Sequence, residues 1–329
     1  MRFENPDKIF SFKDQNEFSQ TALSIFHYQA DQNKIYNLFL RSLGKDYRLI
    51  RRIEEIPFLP VGFFRSQKVI IDDLPAETVF ESSTTTGITS SLHFVHDLKI
   101  YEMSFLNTFK LFYGDPSEYM IAALLPSYEE RKNSSLIYMM NKLISATNDP
   151  NSGFYRSDEM KLIEHLYMAR SKHRKAILIG VSFALLDLAE NYSPDLSGII
   201  VMETGGMKGR RKEIIRGELH EILKGKLNVP VIHSEYGMTE LLSQAYSAGE
   251  GIFYAPPWMK ILIRDPQDPL SVIPEPLSTG GLNLIDLANL YSCSFIAAGD
   301  LGKLHEDGGF EVLGRFDNSD IRGCNLMAD

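Results

Sequence analysis

Ser82-Ser83-Thr84-Thr85-Thr86-Gly87 sets five hydroxyls in a row ahead of a glycine. Hydroxyls and exposed backbone N–H groups in such a turn can take phosphate oxygens as they shed water. The Gly-Lys-Ser/Thr ending of a Walker loop is missing. A second stretch, Glu203-Thr204-Gly205-Gly206-Met207-Lys208-Gly209-Arg210-Arg211-Lys212, combines small residues with cations. Gly205 and Gly206 would let a flat ring or a phosphate approach the backbone, and Lys208, Arg210 and Arg211 add positive charge. In Tyr236-Gly237-Met238-Thr239-Glu240 the ring can stack on a base, the hydroxyl can bond a phosphate, and the carboxylate can help hold Mg²⁺. Ala298-Gly299-Asp300-Leu301-Gly302 puts a carboxylate at a tight turn, where it could take two ribose hydroxyls. Gly314-Arg315-Phe316-Asp317 follows, with Ile321-Arg322-Gly323-Cys324-Asn325 beyond it. Taken singly, each reads at least as well as a turn or a helix cap; Thr239, for example, would serve as an N-cap with Glu240 complementing the dipole.

The elements that must position these stretches show an α/β rhythm. Short apolar runs at 176–181, 198–202 and 229–233 read as strands, and 182–191 and 210–223 as helices, with a further helix opening at Thr239. That alternation implies right-handed crossovers and a parallel sheet covered on both faces. Ligands of such sheets bind beyond the carboxyl ends of the strands, which singles out the loops 203–211 and 234–240. Residues 1–79 read as a helical N-terminal portion, with helices over 16–29 and 35–43 and no evident chemistry. Residues 80–248 form the expected α/β nucleotide- and acyl-binding core, in which 82–87 lies between a strand-like and a helix-like segment. Residues 249–329 form a β-rich lobe with a hairpin turning at Asp307–Gly309 and a hinge-like tail.

Composition narrows the class. The 329 residues carry 34 Lys+Arg against 43 Asp+Glu, a formal charge of −9, which argues against a protein that coats nucleic acid. Two cysteines, Cys293 and Cys324, are too few for a disulfide framework and point to a reducing compartment. The charged start lacks a signal-peptide core, and the apolar stretch 176–186 is too short to span a bilayer, so a cytoplasmic protein is expected. Cys293 alternates within an apparent strand and reads as core; His93 and His96 read as surface or satisfied histidines, and 170–175 as a solvated helix end or a surface for an acidic carrier or CoA.

In combination and in order, the five motifs resemble the adenylate-forming superfamily of acyl-CoA synthetases, aryl-CoA ligases and adenylation domains. The resemblance runs from Glu81 to Asn325. Within it the chain looks most like phenylacetate-CoA ligases and the LuxE-type acyl-protein synthetases, which share its length and carry an acyl-accepting cysteine near the C-terminus. The fold implied is α/β: an adenylate-forming N-terminal core with parallel αβ layers and a small β-rich lobe, lacking the mobile C-terminal domain. Two positions depart from the family loop: Thr84 stands for a glycine and Ser90 for a lysine.

The resemblance implies ATP-dependent activation of a carboxylic acid, a fatty acid ahead of an aromatic one, followed by acyl transfer to a thiol. It implies phosphate contacts from Ser82, Ser83, Thr84, Thr85, Thr86, Gly87 and Thr239, and Mg²⁺ on Glu240. Gly205, Gly206, Tyr236 and Gly237 would frame adenine, and Asp300 and Arg315 the ribose. Cys324 would accept the acyl group; Phe183, Met202 and Met238 would line its pocket. The implied partner is an acyl-accepting reductase or carrier protein. Two alternatives stay open: a CoA ligase using free CoA or a separate partner, and a non-catalytic nucleotide- or acyl-binding subunit.

Overall fold

The computed structural model describes residues 6–44, 46–83, 89–126, 131–156, 158–205, 214–275 and 277–315. Helix α1 (Gln15–Gln32) starts where the Asp14 carboxylate accepts the Glu17 N–H, and buries Phe18, Ala22, Ile25 and Phe26 along one face. Asn33 ends α1 and caps α2 (Lys34–Ser42) by accepting the Tyr36 N–H. Short strand β1 (Leu59–Pro60) and helix α3 (Phe63–Ser66) follow. Strands β2 (Thr78–Glu81) and β3 (Leu92–Val95) pair antiparallel, so the hydroxyl-rich stretch leads into a strand and not into the helix-like segment expected. The helix α4 (Leu98–Tyr113) begins only after Asp97, whose carboxylate accepts the Lys99 N–H.

The first large sheet begins with β4 (Tyr119–Leu124), every residue of which is buried. After it come α5 (Ser135–Ala146), β5 (Gly153–Phe154), α6 (Glu159–Ser171), β6 (Lys175–Val181) and α7 (Ser182–Tyr192). Then β7 (Ile200–Thr204), α8 (Arg216–Leu227), β8 (His233–Tyr236) and β9 (Ala245–Ser247) complete it. The strand order is β5-β4-β6-β7-β8-β9, parallel except for β9. The rhythm read from 176 onward therefore starts two strands earlier, at β4. Strand β8 starts later than the expected 229–233, beyond Pro230, which has no N–H for a ladder. Residues 170–175 lead from the end of α6 into β6 on an exposed surface, where Arg170, Arg174 and Lys175 pair with Asp195, Asp149 and Glu118.

No helix opens at Thr239. In a helix the Thr239 carbonyl would receive the Ser243 N–H; here the Asp286 carboxylate takes the N–H groups of both Leu242 and Ser243, at 2.8 and 2.9 Å. Long-range partners thus override a locally helix-competent sequence.

Strands β10 (Ile252–Phe253), β11 (Met259–Arg264), β12 (Val272–Ile273), β13 (Thr279–Asp286), β14 (Phe295–Leu304) and β15 (Phe310–Arg315) form the second sheet, ordered β10-β15-β14-β13-β11-β12 with β1 parallel to β14. The hairpin expected around Asp307–Gly309 joins β14 to β15. Asp300, expected at a tight turn, lies within β14 instead, beside a register shift between Leu301 and Gly302. Gly302 is required there: a Cβ would stand 2.5 Å from the Glu311 carbonyl oxygen and 2.5 Å from Leu282. Gly302→Ala is expected to destabilise the protein by about 3 kcal/mol, read from the urea midpoint, because neither backbone nor packed leucine can withdraw cheaply.

The N-terminal helices brace this sheet. The Gln29 amide donates to the carbonyls of Asn289 and Leu290, both at 2.9 Å, and the Asn33 amide donates to the Ser292 carbonyl at 2.8 Å. These buried bonds hold the turn between β13 and β14. Among the described residues no helix is long and apolar enough to cross a membrane.

Candidate functional site

The carboxyl ends of β6, β7 and β8 lie side by side, and each carries a residue singled out by the sequence or its neighbour. The Ser182 hydroxyl, one residue past β6, donates to the Gly205 carbonyl at 2.6 Å, joining two adjacent strand ends. Gly205 is exposed at φ +65°, a left-handed conformation that glycine adopts without strain. Thr204 donates its hydroxyl to the buried Glu235 carboxylate, which joins the ends of β7 and β8.

Tyr236, the last residue of β8, is buried edge-on against Phe310 and Phe253, with ring centroids 5.6 and 5.9 Å away. Its hydroxyl donates to Asp300 Oδ2 at 2.9 Å, so two motifs 64 residues apart meet. Arg315 pairs opposite Asp300 across β14 and β15, its Nε 3.9 Å from Asp300 Oδ1. Burial pushes the Asp300 carboxyl up, against the Tyr236 hydrogen bond and the charges of Arg315 and Arg216. Burial, and then the Asp300 charge, also push the Tyr236 hydroxyl up, which keeps it a neutral donor.

Glu240 lies at the meeting of a third motif. Its carboxylate is buried, with the Ser91 hydroxyl and the positive charges of Arg65 and Arg315 in range. Ser91 closes the stem of the hydroxyl-rich loop: its N–H donates to Ser82 Oγ at 2.8 Å, and its carbonyl accepts the Ser82 N–H at 3.0 Å. Burial pushes the Glu240 carboxyl above the usual carboxylate range, outweighing the nearby Ser91 hydroxyl and the two arginines. Gly237 and Ser83 are exposed, and Ser82, Met238 and Thr239 are half-buried, so their surfaces reach solvent beside Glu240. Among the described residues no group of three or more His, Cys, Asp or Glu side chains could hold a metal. A lone carboxylate suits Mg²⁺, which keeps waters and draws its remaining oxygens from substrate phosphates.

Met202 is buried in the principal core, and Phe183 and Met238 are half-buried against the same apolar cluster. Thr84, Thr85, Thr86, Gly87, Gly206 and Cys324 lie outside the described residues, as do Lys208, Arg210, Arg211, Asp317 and Arg322.

Two sets of residues carry the site without a legible signal. Glu203, at the end of β7, is buried and accepts from Arg216 Nε at 3.1 Å and Ser182 Oγ at 3.3 Å, with His220 Nε2 at 3.7 Å. Burial pushes its carboxyl up, but the nearby His220 imidazole and the Arg216 charge prevail and hold it below the usual range. Arg216 also donates to the Val312 carbonyl at 3.1 Å and covers the Phe253 ring at 5.0 Å, tying the end of β7 to β15. Only Glu203's place at the head of the glycine-rich stretch hints at this. The second set is His93, on β3, with Asn289 and Asp286, which hold the backbone of 239–243. The histidine is satisfied, as expected, but fully buried.

Burial drives the His93 imidazole down to about 4, only partly opposed by its bond to Thr239. The unfolded chain therefore binds a proton that the native state refuses between about pH 6.5 and 4. Stability is expected to fall by about 3 kcal/mol as pH drops through that window, and His93→Asn is expected to flatten this part of the profile in urea titrations.

No protein-family model and no curated protein matches the sequence. Solved structures do match in fold. The chain is similar to a 2-hydroxyisobutyryl-CoA ligase in the postadenylation state with R3-HIB-AMP, at TM-score 0.67 and 11% identity over 97% of this chain and 72% of that one. It is similar to a long-chain-fatty-acid-CoA ligase from Archaeoglobus fulgidus, at TM-score 0.53 and 13% identity over 76% and 53%. It is also similar to a luciferase-like enzyme from the nonluminescent mealworm Zophobas morio, at TM-score 0.50 and 16% identity over 83% and 62%. The chain thus spans under two thirds of the last two proteins. The fold is similar to that of these ligases, the likeness that the motif order implied.

Proposed function

We propose that the protein activates a carboxylic acid with ATP and passes the acyl group to a thiol. The observation that carries this reading is the convergence of Ser82, Ser91, Tyr236–Glu240, Asp300 and Arg315 beside the carboxyl ends of the parallel strands. In the first step a carboxylate oxygen bonds to the α-phosphorus of ATP, the bond to the bridging oxygen breaks, and pyrophosphate leaves with an acyl-adenylate formed. Ser82, Ser83, Thr84, Thr85, Thr86, Gly87 and Thr239 hold the phosphates in this reading. Glu240 holds Mg²⁺, which when bound neutralises charge developing on the phosphate oxygens. Gly205, Gly206, Tyr236 and Gly237 frame the adenine. Asp300 and Arg315 fix the ribose, so that positioning supplies much of the rate.

In the second step a thiolate attacks the acyl carbonyl and AMP leaves. Cys324 is the proposed acceptor, with Phe183, Met202 and Met238 around the acyl chain, and an acyl-accepting reductase or carrier protein downstream. Free CoA is the alternative thiol. A second reading, a nucleotide- or acyl-binding subunit without turnover, is favoured by Thr84 and by Ser90, which stands where the resembling family has lysine.

Intact-mass analysis after incubation with Mg·ATP and a mixture of fatty and aryl acids separates these. A hydroxylamine-labile mass gain with pyrophosphate release supports the relay. Pyrophosphate release that requires CoA marks the ligase, and nucleotide binding without release marks the non-catalytic subunit.

A further inference from the structure

Thr239 and Glu240 sit in a turn whose consecutive carbonyls are both taken by buried side chains from elsewhere. His93 Nδ1 lies 2.8 Å from the Thr239 carbonyl oxygen, and the Asn289 amide donates to the Glu240 carbonyl at 2.8 Å. These two carbonyls belong to the two planar peptide groups that flank the Glu240 Cα. Holding both planes fixes φ and ψ of Glu240, and so fixes where its carboxylate leaves the backbone.

The chemistry of each partner is unambiguous. A carbonyl oxygen only accepts, so His93 carries its proton on Nδ1; its Nε2, 2.9 Å from Ser292 Oγ, then accepts the serine hydroxyl. The Asn289 amide donates to Glu240 and also to the Cys293 carbonyl at 3.2 Å, while its Oδ1 is buried with no hydrogen-bond partner among the described residues. A buried unpaired oxygen is costly and rare. Turning the amide over would set that oxygen against two carbonyls, so the orientation that serves Glu240 is retained. Ser292 and Asn289 are fixed in turn by Asn33 and Gln29 of the N-terminal helices.

We infer that His93 and Asn289 are positioning residues for acid activation: they hold the Thr239–Glu240 backbone so that both side chains meet the phosphate-bearing substrate without reorganisation. The inference rests on the adenylation reading above. It gives the N-terminal helices a role in that chemistry, through Gln29 and Asn33 to the turn at 289–292 and from there to Glu240.

Two near-isosteric variants of the full chain separate positioning from packing. His93→Asn places an amide N–H where Nδ1 stood and keeps the bond to Thr239. His93→Gln places it where Nε2 stood and keeps only the bond to Ser292. Each loses one hydrogen bond and part of the ring, so a purely structural role predicts similar melting temperatures and similar activities. Positioning predicts that acid-stimulated ATP–pyrophosphate exchange, measured with decanoate, palmitate and benzoate, stays within about 3-fold of wild type in His93→Asn. In His93→Gln kcat is expected to fall about 30-fold or more, with the KM for ATP little changed, since a misplaced Glu240 is felt mainly where charge develops. Equal exchange in the two variants overturns the inference and leaves adenylation intact; no exchange in the wild type overturns adenylation and the positioning role together. Long-range ¹H–¹⁵N spectra of the wild-type histidines add a readout independent of folding variants and of activity. The Nδ1–H tautomer at His93 is expected, and an Nε2–H tautomer overturns the assignment.

Discussion

Glu240→Gln lowers acid-dependent ATP–pyrophosphate exchange by a factor of about 10²–10³, the loss typical for a group that acts on developing charge. The substitution keeps shape and leaves an amide oxygen for the Ser91 hydroxyl, and it removes a charge that burial already disfavours. The melting temperature is therefore expected to hold or rise, which distinguishes lost chemistry from a lost fold. The pH dependence carries the same signature. A metal-holding Glu240 must be ionised, so exchange falls as pH drops through its raised value, above the ordinary carboxylate range. Its contribution to stability has the opposite sense. The native state holds this proton more tightly than the unfolded chain, so that contribution is complete below the unfolded value and is lost as pH rises through the folded one. In Glu240→Gln both dependences disappear. Exchange in the variant at the wild-type rate would remove Glu240 from the chemistry.

On the proposed relay, Cys324→Ser is expected to abolish the hydroxylamine-labile acyl adduct and to leave acid-dependent exchange at the wild-type rate. In the proposed sequence the adenylate forms before any thiol is needed, so only the second step would be lost. The thiolate is the nucleophile, and a hydroxyl in its place is far weaker at neutral pH. Cys293 cannot substitute. It is the other of two cysteines in the chain, its side chain is fully buried, and burial pushes its thiol up to about 12. Peptide mapping of the acylated wild type is expected to place the whole adduct on Cys324. An undiminished adduct in Cys324→Ser would move the acceptor elsewhere.

Much of this was legible because the relevant signals are local. The apolar runs at 176–181 and 198–202 declare strands that are buried on both faces, and just past them stand Ser182 and the exposed Gly205, joined by a hydrogen bond. The order of the five short motifs carried the fold class. Signals that depend on distant partners were not legible. TELLSQAY is rich in helix formers, and nothing within it announces that Asp286, more than 40 residues on, removes the N–H groups of Leu242 and Ser243. His93 stands two residues past Ser91 with a carbonyl partner 146 residues away. Arg216 shows as a cation near a helix start, whereas its work is to join Glu203 to β15. Asp300 read as a turn residue because Gly299 and Gly302 flank it, yet Gly302 serves close strand packing against the Glu311 carbonyl, while Gly299 has open space beside it. Pattern reports the face an element buries; it does not report which buried polar groups find one another across the fold.

The central claim is that a substrate carboxylate attacks the α-phosphorus of ATP, and oxygen labelling tests it most directly. The full chain is incubated with Mg·ATP and carboxylic acids labelled with ¹⁸O at both oxygens, with hydroxylamine present to trap the acyl group, and the nucleotide product is analysed by mass spectrometry. The account predicts AMP carrying one ¹⁸O, since the oxygen that forms the acyl-adenylate stays with phosphorus when the acyl group leaves. Unlabelled AMP, ADP with label in the released phosphate, or no nucleotide product would contradict it.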